Sequence, residues 1–213
     1  MMKHWLAAAA AIACMTSAQA LVTTVALIGD PSQSEEMTGS NFSGSLSFDD
    51  ATNILTIDLM NTTPVAVGGF LTAFAFNAPD AATVTFASTT LATFNQFFTT
   101  PNTSPFNGLE YGVGVGDNYN GGGSPMDGLQ IGDSATWTFN VSGGTFAATD
   151  FFTAGDEDRA VGFLTRFRGL ADGGSDKVPG VPTMTPIPEP QTYALMLAGL
   201  GLVGFMARRR RRD

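Results

Sequence analysis

Asp156-Glu157-Asp158 is a dense knot of carboxylates, and such oxygen ligands, helped by Asp150 or by loop carbonyls, suit a hard cation such as Ca²⁺. No EF-hand spacing frames them, so a hydrated acidic loop is the plainer reading. Trp137, Tyr111 and Tyr119 offer rings that could stack on a sugar, with Asn and Asp side chains to meet its hydroxyls. Trp137 sits in an alternating run and reads as core. Tyr111 and Tyr119 lie among glycines, are expected to be exposed, and are the candidate ligand contacts. Gly112-Val113-Gly114-Val115-Gly116-Asp117 lacks the GxGxxG spacing and a surrounding βαβ unit, which excludes a dinucleotide site. Gly114-x-Gly116-x-Asn118 has the spacing of one calcium-binding glycine repeat. Such repeats work stacked, so a tight turn or an edge strand is the simpler reading.

What is missing narrows the chemistry further. The single cysteine is Cys14 and the single histidine is His4, both within the first 20 residues. Beyond that point Ser-His-Asp and Cys-His catalysis, disulfides and the usual zinc sites are all excluded. Paired carboxylates remain, as a glycosidase would use them, but no motif singles out a pair. A non-enzymatic protein is therefore expected, with no cofactor beyond weakly held calcium. From Leu21 to Thr185 there are 17 Asp and Glu against four cations, Arg159, Arg166, Arg168 and Lys177. That balance disfavours nucleic acid as a partner and favours a well-solvated surface. Four Asn-x-Ser/Thr sequons, at Asn41, Asn61, Asn102 and Asn140, are what chance yields in so Asn/Ser/Thr-rich a chain.

The elements that must position these groups read as strands. Leu21 to Ile28 is β-compatible. Phe42 to Phe48 alternates, Asp49 to Asn53 supplies turn residues, and Ile54 to Leu59 alternates again, which spells a hairpin. Phe70 to Phe76, Val84 to Phe86, Ala135 to Val141 and Ala160 to Phe167 follow, the last read as the final strand. Leu91 to Phe98 fits either a short helix or a strand. Pro101 to Gly128 is a Gly/Asn/Pro loop long enough to be functional or mobile. The fold expected is all-β, a single antiparallel β-sandwich of roughly eight strands, Ig-like or jelly-roll. It should span residues 21–171, with 172–185 an extended Gly/Pro spacer.

Both ends carry signals of export. Lys3 and His4 form a positive n-region, Leu6 to Met15 an apolar stretch, and Ala18-Gln19-Ala20 a small-x-small site. Residues 1–20 thus read as a secretory signal peptide, cut after Ala20 with Ala18 and Ala20 as the recognised positions. Ala11-Ile12-Ala13-Cys14 offers a rival lipoprotein cut, but it lacks the leucine usual in that motif. At the other end Pro186-Ile187-Pro188-Glu189-Pro190 precedes an uncharged run from Tyr193 to Ala207 and the cluster Arg208 to Arg212. Fifteen helical residues cover about 22 Å. Residues 191–207, with snorkelling arginines, come close to a span, and one C-terminal transmembrane helix is expected there. Gly199, Gly201 and Gly204 permit close approach of another helix, or serve packing alone. The arginines place the C-terminus in the cytoplasm and the bulk of the chain outside.

This ending, residues 186–213, resembles the PEP-CTERM protein-sorting signal of Gram-negative bacteria. The resemblance implies recognition by a membrane processing enzyme, exosortase, through Pro188, Glu189, Pro190, Arg208, Arg209, Arg210, Arg211 and Arg212. These would be substrate features rather than catalytic groups. It implies export through the secretion translocon, transient anchoring in the inner membrane, and delivery to the cell surface or beyond. A role with exopolysaccharide or biofilm, and extracellular polysaccharide as partner, comes from the same resemblance. The tail is also appended to some ice-binding proteins, but Thr pairs such as Thr83-Val84-Thr85 are too few and scattered for a regular Thr-x-Thr ladder. A carbohydrate- or other ligand-binding module built on Tyr111 and Tyr119 is the second reading, and a carboxylate-dependent glycosidase the third.

Overall fold

The computed structural model describes residues 21–156, 158–183 and 200. Ten strands run through it: β1 (Val22–Gly29), β2 (Phe42–Asp49), β3 (Ile54–Asn61), β4 (Gly68–Phe76), β5 (Thr83–Thr89), β6 (Gln96–Thr99), β7 (Tyr111–Gly114), β8 (Ser134–Ser142), β9 (Phe163–Leu170) and β10 (Ser175–Thr183). Every pairing is antiparallel, and all ten strands join in one sheet of order β5-β8-β3-β2-β1-β10-β9-β4-β7-β6. The sheet rolls on itself into a nearly closed barrel. Its two end strands face each other through Phe86 of β5 and Phe97 of β6, whose rings lie 6.4 Å apart. The all-β, antiparallel expectation holds. The expected two-sheet sandwich of roughly eight strands, Ig-like or jelly-roll, is replaced by one continuous sheet of ten, because β10 pairs with β9 along one half and with β1 along the other.

The β2–β3 hairpin forms as the alternation predicts. Leu46 and Phe48 turn inward opposite Ile57 and Leu55, Phe42 and Leu59 turn inward beside them, and the intervening Ser, Thr and Asp face out. At the turn, the Asp49 carboxylate accepts from the Ala51 amide at 3.0 Å, and Asn53 takes the left-handed conformation at φ 56°. Without disulfides the interior rests chiefly on burial, and much of that is aromatic. Trp137 sits edge-on to Phe74 and Phe94, with centroids 4.9 and 4.8 Å apart, and donates its Nε1–H to the Phe94 carbonyl at 2.8 Å. Such edge contacts add about 0.5–1.5 kcal/mol each beyond burial. Trp137 is core, as its alternating run indicates.

The closing strand corrects the expected boundaries. Ala160 to Phe167 leads into β9, which is the penultimate strand, and the supposed spacer at 172–185 contains β10. Ser175 to Pro179 pair with β9, and Gly180 to Thr183 pair with β1, so one strand joins the two halves of the sheet. Proline in a strand interior forfeits a ladder hydrogen bond. β10 tolerates Pro179 and Pro182 because each half of it has a strand partner on one side only. Gly180 fits where the strand passes between rings: a Cβ there would lie 3.1 Å from Phe163 and 3.2 Å from Phe42, a tight contact that the rings would have to yield to.

The remaining differences lie between residues 91 and 128. Leu91 to Phe98 resolves into a turn followed by β6, and the long glycine loop contributes β7. The expected signal peptide at 1–20 with Ala18 and Ala20, Glu157, and the expected recognition residues Pro188, Glu189, Pro190 and Arg208 to Arg212 lie outside the described residues. So does the expected membrane helix at 191–207, apart from Leu200, which is helical. Among the described residues no helix is long and apolar enough to cross a membrane.

Candidate functional site

The long loop at 101–128 is held down on the outer face of β4, β9 and β7. There Phe106, Leu109 and Tyr119 pack on Ala73, Ala75 and Leu164 to form a second small core, separate from the barrel interior. All four cations of the ectodomain end on this loop. Arg159 lies over the Phe106 ring at 4.6 Å, and Arg166 donates to Asn120 Oδ1 at 3.2 Å. Arg168 donates to the Gly122 carbonyl at 2.7 Å, and Lys177 to the Ser104 carbonyl. Lys177 also pairs with Glu35 at 3.1 Å, and its neighbour Asp176 accepts from Glu36 N, Thr38 N and Thr38 Oγ1. β10 thus fastens two loops: Asp176 holds the segment around Glu36 and Thr38, and Lys177 bridges that segment at Glu35 to the long loop at Ser104. Sequence reasoning counted these cations but did not place them on one loop.

Burial corrects the expected exposure of the tyrosines. Tyr119 is 2% exposed, and Tyr111 is half-buried, stacked on Phe76 and Phe97 at 5.9 Å each. Neither presents a ring to solvent as a sugar platform. The Tyr119 hydroxyl and Arg166 Nε are buried without a hydrogen-bond partner among the described groups. Burial pushes the Tyr119 phenol far above its ordinary value, with Arg166 opposing the shift, and burial likewise holds the Arg166 guanidinium down.

The glycine run has a packing explanation. In β7, Val113 enters the barrel core while Gly112 and Gly114 face outward beneath the Phe98 ring. A Cβ on Gly112 would lie 2.7 Å from that ring. Just beyond, Gly116 meets the Gly122 backbone, where an added Cβ would come within 2.2 Å. The run lies beside the end strand β6, one position in from the edge, and lets the loop close over the sheet.

Of the calcium candidates, Asp156 and Asp158 are exposed and Glu157 lies outside the described residues. Asp150 is used locally, accepting from the Ala147 amide at 2.8 Å. Among the described residues, no group of three or more His, Cys, Asp or Glu side chains could hold a metal ion.

Two surfaces stand out from this scaffold. One is a cleft of about 340 Å³ where β9 and β10 part company, lined by Phe106, Phe152, Val161 and Pro182, with Asp30, Gln33 and Arg159 at its rim. The other is the outer face of β5, β8, β3, β2 and β1. Side chains of like facing line up across five strands: Ser88, Thr138, Thr56, Ser47 and Thr24 are successive register partners. Ser88 and Thr138 share a hydrogen bond of 2.7 Å. In the next row the Asp58 carboxylate accepts from Thr136 and Ser45. No single strand shows this row in its sequence.

The C-terminal residues 186–212 match the PEP-CTERM protein-sorting motif. No curated protein and no solved structure is significantly similar to the chain. The match covers the tail alone. This chain carries a PEP-CTERM sorting motif at residues 186–212, and the motif implies an exported cell-envelope protein processed by exosortase.

Proposed function

We propose that the protein is a non-enzymatic component of the cell surface or extracellular matrix, delivered through its sorting signal and associated with exopolysaccharide. The observation that carries this reading is the junction of a sorting motif beginning at Pro186 with a barrel whose last strand ends at Thr183. The folded barrel is therefore the cargo. Its composition supports a structural role: Cys14 and His4 both lie in the leader, and the four cations hold a loop in place. Intact mass and terminal peptides of the protein recovered from its host test the reading. A chain starting at Leu21 and lacking Arg208 to Arg212 is expected, and retention of the arginines overturns it.

A second reading, contact with a glycan, is favoured by the hydroxyl row from Ser88 to Thr24. Strands lie about 4.8 Å apart, close to the length of one β-linked sugar unit, so successive hydroxyls can meet successive residues of a polysaccharide. Sheet twist of about 20–25° per strand turns the row away from a flat lattice, which a pliable chain follows and an ice face does not. Thr56→Val with Thr138→Val keeps the shape and removes two hydroxyls. Co-sedimentation of the processed protein with the host's exopolysaccharide should weaken in this variant. Undiminished co-sedimentation sinks the glycan reading.

A further inference from the structure

The sorting signal follows the fold with almost no slack. Thr183 is the last residue of β10 and lies opposite Ala26 of β1. Only Met184 to Ile187 separate it from Pro188, Glu189 and Pro190. An extended chain covers at most about 3.6 Å per residue, so Pro188 stays within roughly 18 Å of Thr183. An enzyme that grips the Pro-Glu-Pro segment must therefore meet the folded barrel, unless β10 first peels away. Peeling is costly, because β10 joins β1 to β9 and its loss opens the sheet.

The cleft between β9 and β10 lies beside this exit, since Pro182, the neighbour of Thr183, lines it. Pairing with β9 ends at Pro179 and Leu164, so Gly180 to Thr183 have a strand partner only in β1 among the described residues. Their other side faces the cleft, where Gly180 offers its N–H and carbonyl, Pro182 offers a carbonyl but no N–H, and Phe106, Phe152 and Val161 form an apolar wall for an extended segment to fill. The rim holds Asp30 and also Arg159, the exposed member of the four ectodomain cations.

The geometry points to this cleft as the docking surface for the enzyme that processes the sorting signal. An extended, partly apolar segment of that enzyme adds to the free side of β10, with an acidic group opposite Arg159. The signal is then read together with the folded domain that precedes it. This rests on the sorting reading above and goes further by assigning a recognition role to the barrel itself.

The test uses the full-length chain in its host, following by intact mass how fast newly made protein loses Arg208 to Arg212. Gln33→Trp with Ala154→Trp fills the cleft from two exposed positions. Processing is expected to slow about tenfold, the effect of losing one good interface contact, with the melting temperature of the barrel unchanged. Ala26→Cys with Thr183→Cys staples β10 to β1 across directly opposed positions in an oxidising compartment. The stapled protein should be processed at the normal rate. Inserting ten Gly/Ser residues after Thr183 should slow processing by separating signal from cleft. Normal processing of the filled-cleft variant, or a block by the staple that reduction relieves, overturns the inference while leaving the sorting reading intact. Wild-type protein that keeps its arginines overturns both.

Discussion

The guanidinium of Arg159 lies over the ring of Phe106, 4.6 Å from its centroid, and this contact ties the segment before β9 to the loop that covers the outer face of β4 and β9. Arg166, Arg168 and Lys177 end on that loop as well, so an acidic domain spends its few cations on one task. The loop is consequently part of the fold rather than a free arm.

Loosening the loop should therefore expose it. Arg166→Ala with Arg168→Ala removes the contacts to Asn120 and to the Gly122 carbonyl. Limited proteolysis is expected to cut the variant near Gly121 to Gly123 under conditions that leave the wild type whole. Hydrogen bonds to charged groups contribute about 1.5–3 kcal/mol each, so a lowered denaturation midpoint should accompany the cut. An uncut loop would show that the small core around Phe106 holds it unaided.

Tyr119 should respond oppositely to truncation. Its buried hydroxyl has no partner among the described groups, so Tyr119→Phe is expected to leave stability unchanged or raise it by about 1 kcal/mol. The pH dependence has a defined sign. The phenol's value is raised in the fold from 10.0, so the unfolded chain ionises first as pH rises. Stability then falls above about pH 10, and the fall should be shallower in Tyr119→Phe. Denaturation midpoints across that range check both points.

The glycine run gives a paired prediction. Gly116→Ala drives a Cβ to within 2.2 Å of the Gly122 backbone, whereas Gly121→Ala meets nothing closer than the Asn118 carboxamide oxygen at 3.6 Å. Thermal melts should show Gly116→Ala destabilised by about 1–3 kcal/mol, as overpacking costs elsewhere. Gly121→Ala should melt within the error of the wild type.

β10 can be tested by truncation. A chain from Leu21 to Thr183 should unfold in one cooperative transition. A chain ending at Ala171 lacks the strand that joins β1 to β9 and should give no cooperative melt. Equal transitions in the two would return residues 172–183 to the status of a spacer.

Much of the domain was legible in the chain because alternation is a local property. Phe42 to Phe48 and Ile54 to Leu59 each show period two, and Asp49 to Asn53 supplies the turn between them, so the hairpin needed nothing from afar. The sorting motif is a contiguous run read directly from residue order.

Tertiary structure decided what depends on partners distant in sequence. Ser175 to Thr183 reads as a spacer by its prolines and glycine, and becomes a strand because Arg168 to Leu164 and Ala26 to Gly29 supply its ladder. Tyr119 sits among glycines yet is buried, because Ala73, Ala75 and Leu164 from two other strands leave room for its ring. The hydroxyl row exists only once five strands are in register. Local pattern sets which way each side chain can point. Hydrogen bonding and burial between remote segments set what it meets there.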